Sequence, residues 1–307
     1  MIKIYYSSIY FKSIANGLKW VIQRYLKTII TNYNQDQDKI QVQDSISIIE
    51  SKSKTNETIW IILGLQNAHI MPQTQKYIVW NFEQFEVNGL EFNQLFWDKM
   101  GLADQIWDYS LENIRWLNIN KSLDAYHLPL GWMPQMKIPN QISSWVNRVN
   151  TFAFVGLMND RRRDILKPCY ELAKNKSWNM YLSNKCWDTE YNTIYSMTKY
   201  GLNIHYYTGK TILEVHRIIP LILNEIWIIS EKSSDPWYNQ LFDQLVTWAE
   251  PDTFSQLLEK LEQMSYIQVE EELGRRKRLL IQSCDMYKFF IDSEFKKIDF
   301  LSSCSHI

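Results

Sequence analysis

Residues 201–231 read GLNIHYYTGKTILEVHRIIPLILNEIWIISE, with Glu214, His216 and Arg217 set among isoleucines and leucines and Ser230 and Glu231 closing the stretch. Upstream, Gly156 ends the apolar run TFAFVGL, and Arg161, Arg162 and Arg163 follow it. Arginine presents a planar fork of donors that suits phosphate oxygens. Cations at the start of a helix oppose its dipole, so three of them there argue for an anionic partner. Lys210 in YTGKT adds a second candidate contact to phosphate. TGKT resembles the end of a P-loop, but residue 204, which G-x-x-x-x-G-K requires to be glycine, is Ile204, so an ATPase reading is rejected. Glu214 and Arg217 are three apart, hence neighbours on a helix surface that can pair. His205 is either a ligand contact or a hydrogen-bonded structural residue, and His216, inside the helix pattern, reads as structural. The only D-x-D, Asp36 and Asp38 in NYNQDQDKI, has the form that holds a divalent ion on a diphosphate. It lies in a polar loop far from the Gly156 half and reads as a solvated turn, so no metal ligand is assigned.

Such residues need a scaffold, and the hydrophobic periodicity supplies one. Ile2 to Tyr6, IQVQDSISII, ETIWIILGL, KYIVWNF and QIWDYS read as strands, the middle ones apolar throughout as buried parallel strands are. Apolar positions three and four apart from Ala15 to Ile29, and in NQLFWDKMGLAD, predict helices. SLENIRWLN is a helix with Ser110 as N-cap. The two prolines of MPQMKIPNQIS mark a linker. Alternation then restarts: TFAFVGL, WNMYLS, GLNIHYY and IWIISE as strands, with helices entered through Asn159 or Asp160 and over TILEVHRIIPLILN. Strands alternating with helices predict doubly wound α/β domains. The expected division is 1–140, 141–265 and a helical tail 266–307 that packs back on the first domain. The charged run from Glu270 to Arg278 reads as a solvated, salt-bridged helix face.

Composition narrows the function classes. With 46% hydrophobic and 22% charged residues over 307 positions, the chain can bury a large core. A net charge of −1 and the lack of a basic stripe argue against nucleic acid as a partner. The 13 tryptophans and 18 tyrosines read mainly as core material. Four scattered cysteines fit neither zinc nor a disulfide framework, and a cytoplasmic location, of a bacterium or of a virus-infected cell, is the expectation. MIKIYYSSIYF does not read as a secretory leader, and no apolar run approaches the ~20 residues of a membrane span, so membrane contact would be peripheral.

In order along the chain, YIVWNFEQ, IWDYSLENIRWL and HLPLGWMP precede TFAFVGLMNDRRRDIL, LNIHYY, LEVHRIIPLILN and IWIISE. This succession resembles GT-B glycosyltransferases, and its second half resembles their group 1-like donor-binding domain. The resemblance covers most of residues 60 to 265. It implies an α/β chain of two Rossmann-like domains facing a cleft, with a nucleotide diphosphate sugar (a UDP- or GDP-sugar) as donor substrate and no tightly bound cofactor. The acceptor would be a glycan, a protein or a lipid-linked molecule, in glycan biosynthesis. Gly156, Arg161, Arg162, Asn203, His205, Gly209, Lys210, Glu214, Arg217 and Glu231 fall on the donor side. Within that set, Arg161, Arg162 and Lys210 would hold phosphate; Gly209 would let the backbone approach the ligand; Glu231, Glu214 and the Asn203–His205 strand end would hold ribose and sugar. Arginines and a helix N-terminus make metal unnecessary. An inverting transfer needs a general base in the acceptor half, and His69 or Glu83 is the candidate, with Asp108 and His127 behind them.

Departures from the pattern leave the stereochemistry open. Many retaining members carry two glutamates separated by seven residues around this helix, and Glu214 and Glu225 are too far apart for that. Asn224, Glu225 and Ile226 replace the usual Gly-Pro before the last strand. Two alternatives therefore stand beside the transferase: a non-catalytic relative that binds a glycan or partner protein, and a sugar-nucleotide epimerase.

Overall fold

The computed structural model describes residues 2–6, 11–33, 46–49, 59–67, 76–85, 92–138, 142–184 and 189–293. Asp36, Asp38 and His69 lie outside them. The chain divides into two compact units, Met1–Gln135 with Met286–Ile307, and Met136–Asp285.

The first unit holds β1 (Ile2–Tyr6), α1 (Lys12–Tyr33), β2 (Ile46–Ile49), β3 (Ile59–Leu63), β4 (Tyr77–Asn81), α2 (Gln94–Gly101), β5 (Gln105–Asp108), α3 (Leu111–Lys121) and β6 (Tyr126–His127). Its sheet runs β2-β1-β3-β4-β5-β6, and every pairing is parallel. IWIIL of β3 and YIVWN of β4 are buried at every position, which is why they read as unbroken apolar runs. Ser110 caps α3 by accepting from Glu112 N, as the sequence predicts.

The second unit holds β7 (Asn150–Val155), α4 (Asp160–Lys176), β8 (Met180–Ser183), α5 (Thr189–Ser196), β9 (Thr198–Asn203), α6 (Val215–Leu223), β10 (Trp227–Ser230), α7 (Pro236–Leu241), β11 (Thr247–Trp248), α8 (Phe254–Leu261) and α9 (Tyr266–Ser283). Its parallel sheet runs β11-β10-β9-β7-β8. Strand order reverses between β7 and β9, so the ligand crevice of a doubly wound sheet belongs at the carboxyl ends of those two strands. Phe152, Phe154, Tyr200, Leu202 and Ile229 from the strands pack with Phe254 and Leu258 of α8 and Val269 and Leu273 of α9.

Three expectations are corrected. The helix over TILEVHRIIPLILN begins at Val215, not Thr211, because residues 211–214 are drawn into the neighbouring loop. Thr211 N donates to Ser234 Oγ (3.0 Å) and Ser234 N to Thr211 O (2.8 Å). The unit boundary falls before Met136, and residues 266–285 join the second unit instead of starting a tail; the chain from Met286 on, which includes α10 (Met286–Asp292), belongs to the first. The run from Glu270 to Arg278 explains why α9 stays. It is not simply a solvated face: Arg276 is buried, lies 4.1 Å from the Trp227 ring centroid and bonds Glu272 (2.8 Å) and Thr247 Oγ1 (3.2 Å). Lys277 pairs with Glu225 at 2.7 Å. At the other side of α6, Asn224 staples the segment that leads into the unit. Its Oδ1 accepts from Ile138 N (3.0 Å), while Nδ2 donates to Met136 O (3.2 Å) and Pro220 O (2.5 Å).

Candidate functional site

The polar residues singled out between Gly156 and Glu231 converge at the carboxyl ends of β7, β9 and β10. Asn159 begins α4: its Oδ1 accepts from Arg162 N (3.0 Å), and its Nδ2 donates to Tyr206 O (2.6 Å) beyond β9. The three arginines that follow diverge because successive helical residues turn by about 100°. Arg163 points outward to Asp160 (2.5 Å). Arg162 turns inward and is 3% exposed. It donates through Nε (3.0 Å) and Nη2 (2.6 Å) to Ile204 O and through Nη1 to Leu157 O (2.6 Å), clamping the tips of β7 and β9 together at the switch point. Arg161 forks onto Glu231, with Nη2 on Oε1 and Nη1 on Oε2 (3.0 Å), and also reaches His205 O (2.7 Å).

Glu214, just before α6, is buried. Its Oε2 accepts from Asn203 Nδ2 (3.0 Å) and lies 2.9 Å from His205 Nδ1, an ion-pair contact when the imidazole is protonated. Its Oε1 faces Arg162 Nη2 at 4.0 Å. Asn203 links the parts, since its Oδ1 accepts from Arg217 Nη1 (3.0 Å) and its Nδ2 also reaches Ser230 Oγ (3.0 Å). Glu231 Oε2 accepts from His205 N (2.7 Å), and His205 Nε2 lies 3.2 Å from Lys232 O. Gly156 suits this crowding: a Cβ there would press on Arg162 Nη1 at 3.2 Å and Arg217 Nη2 at 3.3 Å. Gly209 has φ +87°, a left-handed conformation that glycine tolerates, with open space where a side chain would be. Lys210 beside it is exposed.

Electrostatics follow from this packing. Burial alone would raise the Glu214 pKa, but His205, Arg217 and the Asn203 amide outweigh it and hold the carboxyl far below the usual range. Burial alone would lower the His205 pKa, but Glu214, Glu231 and the Lys232 carbonyl reverse it, and the imidazole titrates above its ordinary value. Burial and then Arg217 lower Arg162 to about 10, so it stays charged. Three arginines therefore face two glutamates, which leaves one positive charge unmatched, or two when His205 is protonated.

Several roles shift from those the sequence suggested. Arg162 was expected to touch phosphate, yet its guanidinium is sealed against main-chain carbonyls. Glu214 and Arg217, whose spacing would allow them to pair, form no ion pair with each other, and Asn203 bridges them. Glu231, expected to accept ribose hydroxyls, has both oxygens engaged by Arg161 and His205 N. Ser234 was missed as a participant, and Ser230, noted beside Glu231 in the sequence, was given no role.

In the first unit, Glu83 follows β4. Its Oε1 accepts from Gln66 Nε2, and its main chain is held by Asn81 (2.9 and 3.2 Å) and Asn113 (2.6 Å). Burial raises its pKa against the opposing effect of Gln66. Asp108 is fully buried and accepts from Asn81 (2.7 Å), Ser110 N (2.8 Å) and Asn113, so it organises the loop. His127 Nε2 lies 3.3 Å from Tyr109 O. Among the described residues no group of three or more His, Cys, Asp or Glu could hold a metal ion, and no helix is long and apolar enough to cross a membrane.

His216 gives a testable pH dependence. The residue is partly buried, with Nδ1 sealed, and burial followed by the neighbouring Arg217 lowers its pKa to about 3. A depressed folded value means that its contribution is present above the unfolded value of about 6.5 and is lost as pH falls from there toward 3. His216→Phe should therefore gain stability relative to the parent between pH 7.5 and pH 5, as read by urea unfolding. An equal difference at both pH values would refute this.

Two doubly wound units, the second with a charged cluster at its strand ends, make the GT-B fold of glycosyltransferases, and comparison with solved structures shows that fold. TarM matches over 76% of this chain and 53% of its own, with a TM-score of 0.52 and 12% identity. An α-glucosyltransferase in complex with UDP and a 13-mer DNA containing an HMU base matches over 76% and 78%, with TM-score 0.52 and 12% identity. A mutant of S. aureus TarM in complex with fondaparinux, α-GlcNAc-glycerol and UDP matches over 76% and 54%, with TM-score 0.52 and 10% identity. The chain thus spans about half the length of TarM. No family model and no curated protein matches it.

Proposed function

We propose that the protein is a glycosyltransferase that takes a sugar from a nucleotide diphosphate donor and passes it to a glycan, protein or lipid-linked acceptor. The observation that carries this is the unmatched positive charge among Arg161, Arg162, Arg217, Glu214, Glu231 and His205 at the switch point, in a fold whose neighbours include UDP complexes. A diphosphate neutralises that excess. Fixed cations that stabilise the leaving diphosphate lower the barrier most where water is scarce.

In this reading Arg217 and Lys210 meet the phosphates, and Arg161 joins them by leaving Glu231. Arg162 positions the two strand tips. Glu214 Oε1, which carries only the distant Arg162, accepts a hydroxyl of the ribose or sugar. Glu83, with its raised pKa, is the base candidate for an acceptor hydroxyl. The transfer needs no metal, and acceptors exclude nucleic acid on the strength of the −1 net charge, although one structural neighbour is bound to DNA.

A thermal-shift panel of UDP, GDP and their sugars, with and without EDTA, tests the reading. A nucleoside diphosphate should raise the melting temperature equally in both conditions. No shift with any nucleotide would overturn the proposal and favour a non-catalytic binding protein. The Arg161–Glu231 fork, which satisfies both partners internally, is the observation that favours this second reading.

A further inference from the structure

We propose that the second unit carries a binding subsite for a negatively charged saccharide, in the groove between α8 and the carboxyl ends of β10 and β11. This rests on the transferase reading above. The groove has a volume of about 410 Å³. One wall is a helical stripe, Thr253, Gln256 and Lys260, spaced three and four apart beside the buried face of α8. The other wall is Lys232, Trp248 and Glu250 from the strand ends.

Three features point to an anionic sugar. Trp248 is a fixed aromatic surface: its indole Nε1 donates to Asp243 Oδ1 (3.1 Å), which holds the ring in place for a pyranose to stack on. Lys232 and Lys260 have no carboxylate within ion-pair distance among the described residues. By contrast, Glu259 and Glu262 around the same helix end are paired with Lys176 (2.7 Å) and Lys199 (3.2 Å). Cations left unpaired on both walls of one groove suit a carboxylate or phosphate. Gln256 and Glu250 supply the amide and carboxylate groups that bind sugar hydroxyls, and Glu250 limits the net charge to that of a single anion.

The groove adjoins the donor cluster. Lys232 follows Glu231 directly, and its carbonyl lies 3.2 Å from His205 Nε2. The same strand tip thus presents its main chain to the donor cluster and its ammonium group to the groove.

The test titrates the full-length protein, in saturating UDP, with glucose 6-phosphate, glucuronate, glucose and inorganic phosphate, followed by isothermal titration calorimetry. Both anionic sugars should bind at least about tenfold more tightly than glucose. Trp248→Ala and Lys260→Gln should each weaken them about tenfold or more while leaving UDP binding unchanged. Lys260 is exposed, so its variant reports even if Trp248→Ala folds poorly. Equal binding of glucose, or unchanged binding by the Lys260→Gln protein, overturns the subsite. Inorganic phosphate binding as tightly as glucose 6-phosphate overturns the stacking platform. If UDP fails to bind while the sugar anions still depend on Trp248 and Lys260, the donor assignment falls and the groove stands.

Discussion

Arg162→Ala lowers the melting temperature of the ligand-free second unit by roughly 6–12 °C and removes nucleotide binding with it. The size of the effect follows from what the guanidinium satisfies. Truncation strands the carbonyls of Leu157 and Ile204, and each buried acceptor left without a donor costs about 1–3 kcal/mol. A total near 3 kcal/mol corresponds to that shift for a unit of this size, at about 2–4 °C per kcal/mol. Lysine at 162 keeps the charge but loses the fork, and should recover only part of the loss. The alternative role, direct contact with phosphate, makes the opposite forecast: binding is lost while the ligand-free melting temperature stays unchanged. Differential scanning calorimetry without nucleotide separates the two, and an unshifted transition would rule out the clamp.

The second large effect belongs to Glu214. It is the anion that Arg162, Asn203 and His205 share, so Glu214→Gln leaves buried positive charge against Glu231 alone. Breaking a buried ion pair from one side costs about 3–5 kcal/mol. Its pH signature is specific. The His205 pKa is raised in the folded state, so the stability it contributes is complete below about 6.5 and is lost as pH rises through the folded value. Glu214 is depressed, so its contribution is present above about 4.3 and is lost as pH falls below that. The parent should therefore be most stable, as far as this pair is concerned, between those two values. In Glu214→Gln only Glu231 and the Lys232 carbonyl still oppose the burial of His205, its pKa drops, and the decline above pH 6.5 becomes shallower. Urea titrations from pH 5 to pH 8.5 measure both the offset and the slope; a variant that keeps the parent's slope would show that Glu214 does not hold the His205 proton.

The α/β class and the order of elements were legible because each signal is local. IWIIL and YIVWN announce strands covered on both faces, and Ser110 and Asn159 announce helix starts through the N–H groups they satisfy. The set of residues at the strand ends was legible for a related reason: in a parallel sheet, chemistry gathers where strands run out, and the polar letters after TFAFVGL, GLNIHYY and IWIISE mark those ends. What each residue does there was not legible. Arg161, Arg162 and Arg163 are the same letter three times, and only the helical turn of about 100° per residue sends one to a carboxylate, one into the sheet tip and one to solvent. The same ambiguity hid Arg276 beside Arg275. Partner choice at Asn203, which joins Arg217 to Glu214 and Ser230, depends on tertiary placement of residues up to 27 positions apart, a distance no periodicity spans.

Asn224 has a different consequence, one of chemical ageing. A single carboxamide there accepts from one main-chain amide and donates to two carbonyls. Hydrolysis to a carboxylate, the same size and shape, would keep the acceptor and turn the donor into an anion facing Met136 O and Pro220 O. A side chain that clips the lead-in segment to the helix would then push it away, so one deamidation at this position would weaken the hold on residues 136–138.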